Sequence, residues 1–172
     1  MSGNHGQATS SRLTAAPVGD GAIYLVSTLI AAAVAAAAAL VSVTLTLPVW
    51  AMFIGWVAYL TRPSPKEGLQ SWVCLVIGLG LGAAVVSSLA RLEPAVGVVA
   101  VPIVVFAVAV VVVLARGLRV LNNLLAYFLG LIMFNAAQLT PSAASIAQLA
   151  AASALGLAAG ALSTQLDKRM HR

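Results

Sequence analysis

The sequence predicts an all-α integral membrane protein: a bundle of six transmembrane helices, arranged as a 3+3 inverted repeat, with both termini in the cytoplasm. Three observations lead there. They are an apolar composition, charges gathered into clusters, and a lopsided distribution of lysine and arginine. Of the 172 residues, 62% are hydrophobic and 8% charged, and the mean hydropathy is +1.05. Soluble domains are about 45–50% apolar and about 25% charged, so composition excludes a soluble enzyme. Four acidic residues and two histidines leave little material for acid–base or metal chemistry. No paired carboxylate, Ser/His pair or metal-ligand cluster is visible, so no catalytic residue, metal or cofactor is expected.

Residues 1–20 are rich in Ser, Gly, Ala and Thr with one arginine. Such a segment cannot bury a core and is expected to be a flexible cytoplasmic tail. It is not a cleavable signal peptide, because the apolar region that follows is far longer than about 7–15 residues. His5 in this tail and His171 in the other read as solvated residues rather than metal ligands.

The charge clusters leave four uncharged stretches: residues 21–61 (41 residues), 68–90 (23), 94–115 (22) and 120–166 (47). A membrane-crossing helix needs about 20 apolar residues for roughly 30 Å of hydrocarbon. The two middle stretches therefore hold one span each. The two long ones hold two spans each if a breaker lies near the middle, and Pro48 and Pro141 supply it by removing a backbone donor and disfavouring helix at the preceding residue. The six spans centre near Ala35, Gly55, Gly80, Ala107, Gly130 and Ala152. The membrane domain is thus residues 21–166, with halves of about 21–92 and 94–166, and residues 167–172 form a basic cytoplasmic tail.

Short cytoplasmic loops hold positive charge. Six spans with the N-terminus inside place Arg12, Arg62, Lys66, Arg116, Arg119, Lys168, Arg169 and Arg172 on the inner side and only Arg91 on the outer. If the short second and fifth spans failed to cross, four of the eight inner charges would move outside and the asymmetry would vanish. The net charge of +5 therefore reads as anchoring beside a lipid bilayer, not as a nucleic-acid surface. Cys74 is the single cysteine, so no internal disulfide forms, and its apolar setting marks it as a small buried hydrophobe.

The repeat shows in two alignments. Phe53-Ile54-Gly55-Trp56-Val57-Ala58-Tyr59 overlays Phe128-Leu129-Gly130-Leu131-Ile132-Met133-Phe134 at an offset of 75. Ile77-Gly78-Leu79-Gly80-Leu81-Gly82-Ala83 overlays Leu155-Gly156-Leu157-Ala158-Ala159-Gly160-Ala161 at an offset of 78. Each half thus has a long span, a short aromatic span around a central glycine, and a span carrying GxxxG. Three spans per half is odd, so the second half enters the membrane in the opposite sense, a plan common among small-solute transporters.

Candidate pathway or helix-packing residues follow from helix faces. Ser145, Gln148, Ala152, Gly156 and Gly160 share one face of span six, and Ser71, Cys74, Gly78 and Gly82 the matching face of span three. Small residues drive close helix association in lipid, which is the first reading of Gly55, Gly130, Gly78, Gly82, Gly156 and Gly160. Gln148 is the deepest strongly polar side chain, about 10 Å below the Pro141 turn. It reads either as an interhelix hydrogen bond or as the wall of a polar pathway. Asn135 and Gln138 near one end of span five, and Asn122 and Asn123 near the other, read as interfacial residues facing water. Trp50, Tyr59 and Trp72 read as interfacial anchors, and the alanine-rich first span as hidden against its neighbours. No ionisable group lies deep, which favours a facilitator over a proton-driven pump.

The run Leu47-Pro48-Val49-Trp50-Ala51-Met52-Phe53-Ile54-Gly55-Trp56-Val57-Ala58-Tyr59, followed by the basic, proline-rich turn at residues 62–68, resembles the signature of the domain-of-unknown-function (DUF) 1097 family. The likeness covers about residues 23–166. It implies a small bacterial inner-membrane protein and carries no activity, substrate or binding residue with it. Two functions stand side by side: a channel or facilitator for a small neutral or weakly polar solute, working as a homo-oligomer, and a non-transporting accessory subunit that binds a partner through its small-residue faces. The first would show as solute flux, the second as a stable heteromeric complex.

Overall fold

The computed structural model describes residues 18–115, 117 and 121–170. The expected tail lies largely outside the described residues, as do Arg12, Arg116, Arg119 and Arg172. All regular structure among the described residues is helical: α1 (Val18–Thr44), α2 (Val49–Leu60), α3 (Pro65–Val96), α4 (Ala100–Ala115), α5 (Leu124–Ala137) and α6 (Ala143–Met170), with a 3-10 turn at Gly97–Val99 joining α3 to α4.

Local chemistry sets the ends. Pro48 stands at the N-cap of α2 in an extended conformation, and Asn123 caps α5 by accepting from the Ala126 N–H at 3.3 Å. Ser64 caps α3 by accepting from the Glu67 N–H, and Ser142 accepts from the Ser145 N–H at the start of α6. Each of these oxygens satisfies a donor that a helix N-terminus leaves without an internal partner.

Three helix boundaries bear on the reading of the sequence. Helix α3 runs through Pro94 to Val96. A proline in the last turn disturbs few hydrogen bonds, and the break comes instead at Gly97, whose φ of 60° and ψ of −140° suit glycine alone. Helix α6 continues into the basic C-terminal segment as far as Met170, with Lys168 and Arg169 in its last turn. There the two cations lie beside the exposed carbonyls of the helix end. At the other end, α1 begins at Val18, inside the segment expected to be unstructured.

Three helical stretches are long and apolar enough to cross a membrane: Gly21–Thr44, the 51 residues Pro65–Ala115, and Ala143–Met170. The middle one comprises α3 and α4, which pack on each other. Helices α2 and α5 are apolar but short, at 12 and 14 residues, or about 18 and 21 Å.

The core lies where α2 packs on α6 and α5 packs on α3. Met52, Tyr59, Leu75, Leu79, Tyr127, Met133, Phe134 and Leu149 are all almost fully buried. Helix α1 lies on α6 and α2 by one edge only. Contrary to expectation, its alanines do not hide: Ala38 alone in residues 31–39 is buried. A small side chain gives close contact on one narrow stripe and leaves the rest of the helix outward. Helix α4 buries Ala100, Val104 and Val112 and exposes Phe106, Val113 and Leu114.

Candidate functional site

Four glycines set the helix crossings. A Cβ on Gly55 of α2 would overlap the Ser153 carbonyl oxygen of α6, and one on Gly156 of α6 would overlap the Met52 carbonyl oxygen of α2. In the other pair, Gly130 of α5 stands against the Leu75 carbonyl oxygen and Gly78 of α3 against that of Tyr127. Every carbonyl belongs to the residue three before the facing helix's own glycine. Only a glycine lets two backbones approach this far, and Cα–H···O contacts recur at such crossings.

The second glycine of each GxxxG lies one turn on. A Cβ on Gly82 would stand 2.7 Å from the Phe134 Cβ, and one on Gly160 would stand 3.1 Å from the Tyr59 ring. Tyr59 is therefore not an interfacial ring but is wedged between Gly160 and Gly68. Trp72 is likewise no simple anchor: its indole N–H donates to Ser153 Oγ at 3.0 Å, across from α3 to α6, and Ser153 donates onward to the Ala150 carbonyl at 2.9 Å.

The order of these contacts gives direction. Pro48 and Leu149 share one cleft wall, while Tyr59 and Gly160 meet at the other end, so α2 and α6 run parallel. Ser71 and Asn123 meet at one end of α3 and α5, and Gly82 and Phe134 nearer the other. Arg62, Lys66, Lys168 and Arg169 therefore lie at the Asn123 end, and Arg91 lies at the Pro48 end.

At the Pro48 end a cleft of about 470 Å³ opens between α2, α5 and α6. Leu47, Pro48, Ala136, Leu139 and Leu149 give it apolar walls, and Thr46 and Gln148 bring polar groups. Gln148 is exposed, so it parts from Ala152, Gly156 and Gly160, the buried residues of the face it was grouped with. Ser145 stays at the helix start, donating to the Thr140 carbonyl at 2.8 Å and paired with Ser142. Asn135 donates back to the Leu131 carbonyl at 2.8 Å, and Gln138 ends α5 in the left-handed region.

The Asn123 end is closed by hydrogen bonds that sequence reasoning missed. Asn123 was expected to face water, yet it is buried, with its amide donating to Thr61 Oγ1 and to Ser71 Oγ, both at 2.8 Å. Each hydroxyl donates in turn to its own helix, Thr61 to the Ala58 carbonyl and Ser71 to the Glu67 carbonyl. Beside them, Arg62 donates to Asn122 Oδ1 at 2.7 Å. A buried amide is held when all its donors and acceptors are matched. The available signal was an asparagine immediately before an apolar run, which marks an N-cap.

Fold and site together define an all-helical protein with apolar helices suited to a membrane, a cleft at one end and a hydrogen-bonded closure at the other. The chain matches the family described as "Protein of unknown function (DUF1097)" over residues 28–168, most of its length, and it belongs to that family. Comparison with curated proteins and with solved structures finds no match.

Proposed function

We propose that the protein is a multi-pass inner-membrane channel or facilitator for a small neutral or weakly polar solute, with six crossing helices in a 3+3 inverted repeat. The observation that carries this reading is the cleft at Pro48 and Gln148, open above the helix crossings and lined by no ionisable side chain. A charged solute would lose its hydration there without a partner, whereas a neutral one needs only the Gln148 amide and the Thr46 hydroxyl.

The glycine contacts support the repeat. Gly55 and Met52 correspond to Gly130 and Tyr127 at an offset of 75, and Gly78 and Leu75 to Gly156 and Ser153 at an offset of 78. The two capping serines, Ser64 and Ser142, also stand 78 apart. Crossings by α2 and α5 are shorter than the bilayer core, and a short crossing helix is tolerable where a cavity or polar cluster makes up the difference. The positive-inside rule places the end carrying Arg62, Lys66, Lys168 and Arg169 in the cytoplasm and the cleft outside. The working form is a homo-oligomer, because so short a chain encloses little lumen; its particle mass in mild detergent tests this.

The accessory-subunit reading needs a different face from the one expected. The glycines are occupied within the chain, which leaves the groove of about 440 Å³ between α1 and α6, lined by Ala33, Ala37, Ala38, Ala158 and Ala159. That reading expects a heteromeric complex on gentle extraction.

Proteoliposomes test the main reading. Small neutral amides and polyols should enter protein-containing vesicles faster than empty ones, and Gln148→Cys in a Cys74→Ser background should react with an impermeant maleimide from outside. Equal entry across the panel together with an unreactive position 148 would defeat it.

A further inference from the structure

The two ends of the molecule occupy matching positions but differ in state. By the offsets that relate the glycine crossings, Asn123 corresponds to Pro48, Thr61 to Ala136 and Ser71 to Leu149. The first member of each pair belongs to the hydrogen-bonded cluster. The second member of each pair lines the open cleft. One end of the same layout is thus tied across α2, α3 and α5, and the other is parted.

Resting on the facilitator reading, we propose that Asn123 is the inner gate of the pathway. Its amide holds the inner ends of α2, α3 and α5 together while the outer cleft stands open, and release of its bonds to Thr61 and Ser71 opens the inner end. The chemistry suits a gate. Both acceptors are hydroxyls that keep a bond to their own helix after Asn123 leaves, and the freed amide meets water or a neutral solute that offers an oxygen. Interhelix hydrogen bonds of this kind are individually weak in membranes, so they can break and reform. At the outer end Pro48, Ala136 and Leu149 offer no side-chain hydrogen bond, so nothing equivalent ties that end shut.

Native Cys74 provides the readout, since it is fully buried on α3 one turn deeper than Ser71. In inside-out vesicles an impermeant maleimide should leave Cys74 unlabelled in the wild type. Asn123→Ser, which keeps an oxygen to cap α5 but lacks the amide donors, should label about tenfold faster, the scale of two modest hydrogen bonds acting on a two-state equilibrium. Thr61→Val, which leaves the α5 cap untouched, should give a smaller rise in the same direction. In a Cys74→Ser background, labelling of Gln148→Cys from outside should slow when Asn123→Ser is added, because an open inner end favours a closed outer one.

Unchanged labelling at both positions in both variants would overturn the gate and leave the facilitator reading standing. Faster labelling at both positions would also overturn it, since that is loosened packing. An unreactive Gln148→Cys in the otherwise unaltered protein would count against the facilitator reading itself, whatever Asn123→Ser does to Cys74.

Discussion

A Cβ on Gly78 of α3 would overlap the main-chain carbonyl oxygen of Tyr127 on α5. Gly80, two positions on along the same helix, has nothing within 4 Å of where its Cβ would stand. Gly78→Ala should therefore force α3 and α5 apart and lower stability by about 1–3 kcal/mol, the usual cost of overpacking. Gly80→Ala should be neutral or stabilising by up to about 1 kcal/mol, because alanine is the better helix former. Thermal unfolding of the purified protein in detergent separates them, and equal effects would show that the crossing is not set by the glycine.

Gly97 makes a different kind of demand. A Cβ there would meet no neighbour, yet φ is 60°. Gly97→Ala should cost about 1–3 kcal/mol through backbone strain alone. Gly97→Asn should cost as much as Gly97→Ala, since the ψ of −140° lies outside the left-handed helical well in which asparagine tolerates positive φ. Ranking the three proteins by melting temperature checks this.

Trp72 and Ser153 join α3 to α6 by one side-chain hydrogen bond. Trp72→Phe keeps most of the ring's packing and removes the donor, and should cost about 0.6–1.5 kcal/mol. Ser153→Ala should cost a similar amount. The double variant should cost clearly less than the sum, because either change alone already breaks the bond. Strict additivity would show that the contact contributes nothing.

Much of this architecture was legible because it is written in single residues with one physical meaning. Pro48 and Pro141 marked the two turns, and Gly55, Gly130, Gly78 and Gly156 marked the crossings before any partner was known. Their partners were not legible, because a glycine signals close approach without saying what approaches. Sequence reasoning passed over the caps Ser64 and Ser142, although the Ser-x-x-Glu spacing to Glu67 signals the former, and they reinforce the offset of 78 seen in the glycines. Asn123 misled for the opposite reason. A polar residue beside a charged loop is normally wet, and only the meeting of three helix ends buries it. The end of α3 was not legible, because a proline such as Pro94 weakens a helix without dictating where it ends, and the positive φ at Gly97 decides that. Tyr59 and Trp72 look like interfacial rings in sequence, but small neighbours on facing helices, Gly160 and Ser153, draw them inward.

Ser42 is fully buried on α1 with a hydroxyl that has no hydrogen-bond partner. A buried hydroxyl left unmatched carries a desolvation cost of about 1–3 kcal/mol. Ser42→Ala should leave the melting temperature unchanged or raise it, where most buried substitutions lower it. A clear fall would mean that the hydroxyl is satisfied in the membrane, by water reaching it past its neighbour Val43 on the cleft wall.

Gln148 offers the sharpest separation of function from stability. It is exposed in the cleft, whereas its neighbour Leu149 is fully buried. Replacing Gln148 by Leu removes the amide without disturbing a packed contact, so stability should change by less than about 0.5 kcal/mol. Solute entry should nonetheless fall severalfold if the amide is the polar partner a solute meets in an otherwise apolar cleft, and Gln148→Asn should retain part of it. Leu149→Ala should do the reverse, costing about 2–5 kcal/mol of stability through the cavity it leaves. Entry rates and melting temperatures of these three variants, measured on the same preparations, test the cleft directly. Flux that follows melting temperature across the three would mean that the cleft is a by-product of two short helices rather than a path through them.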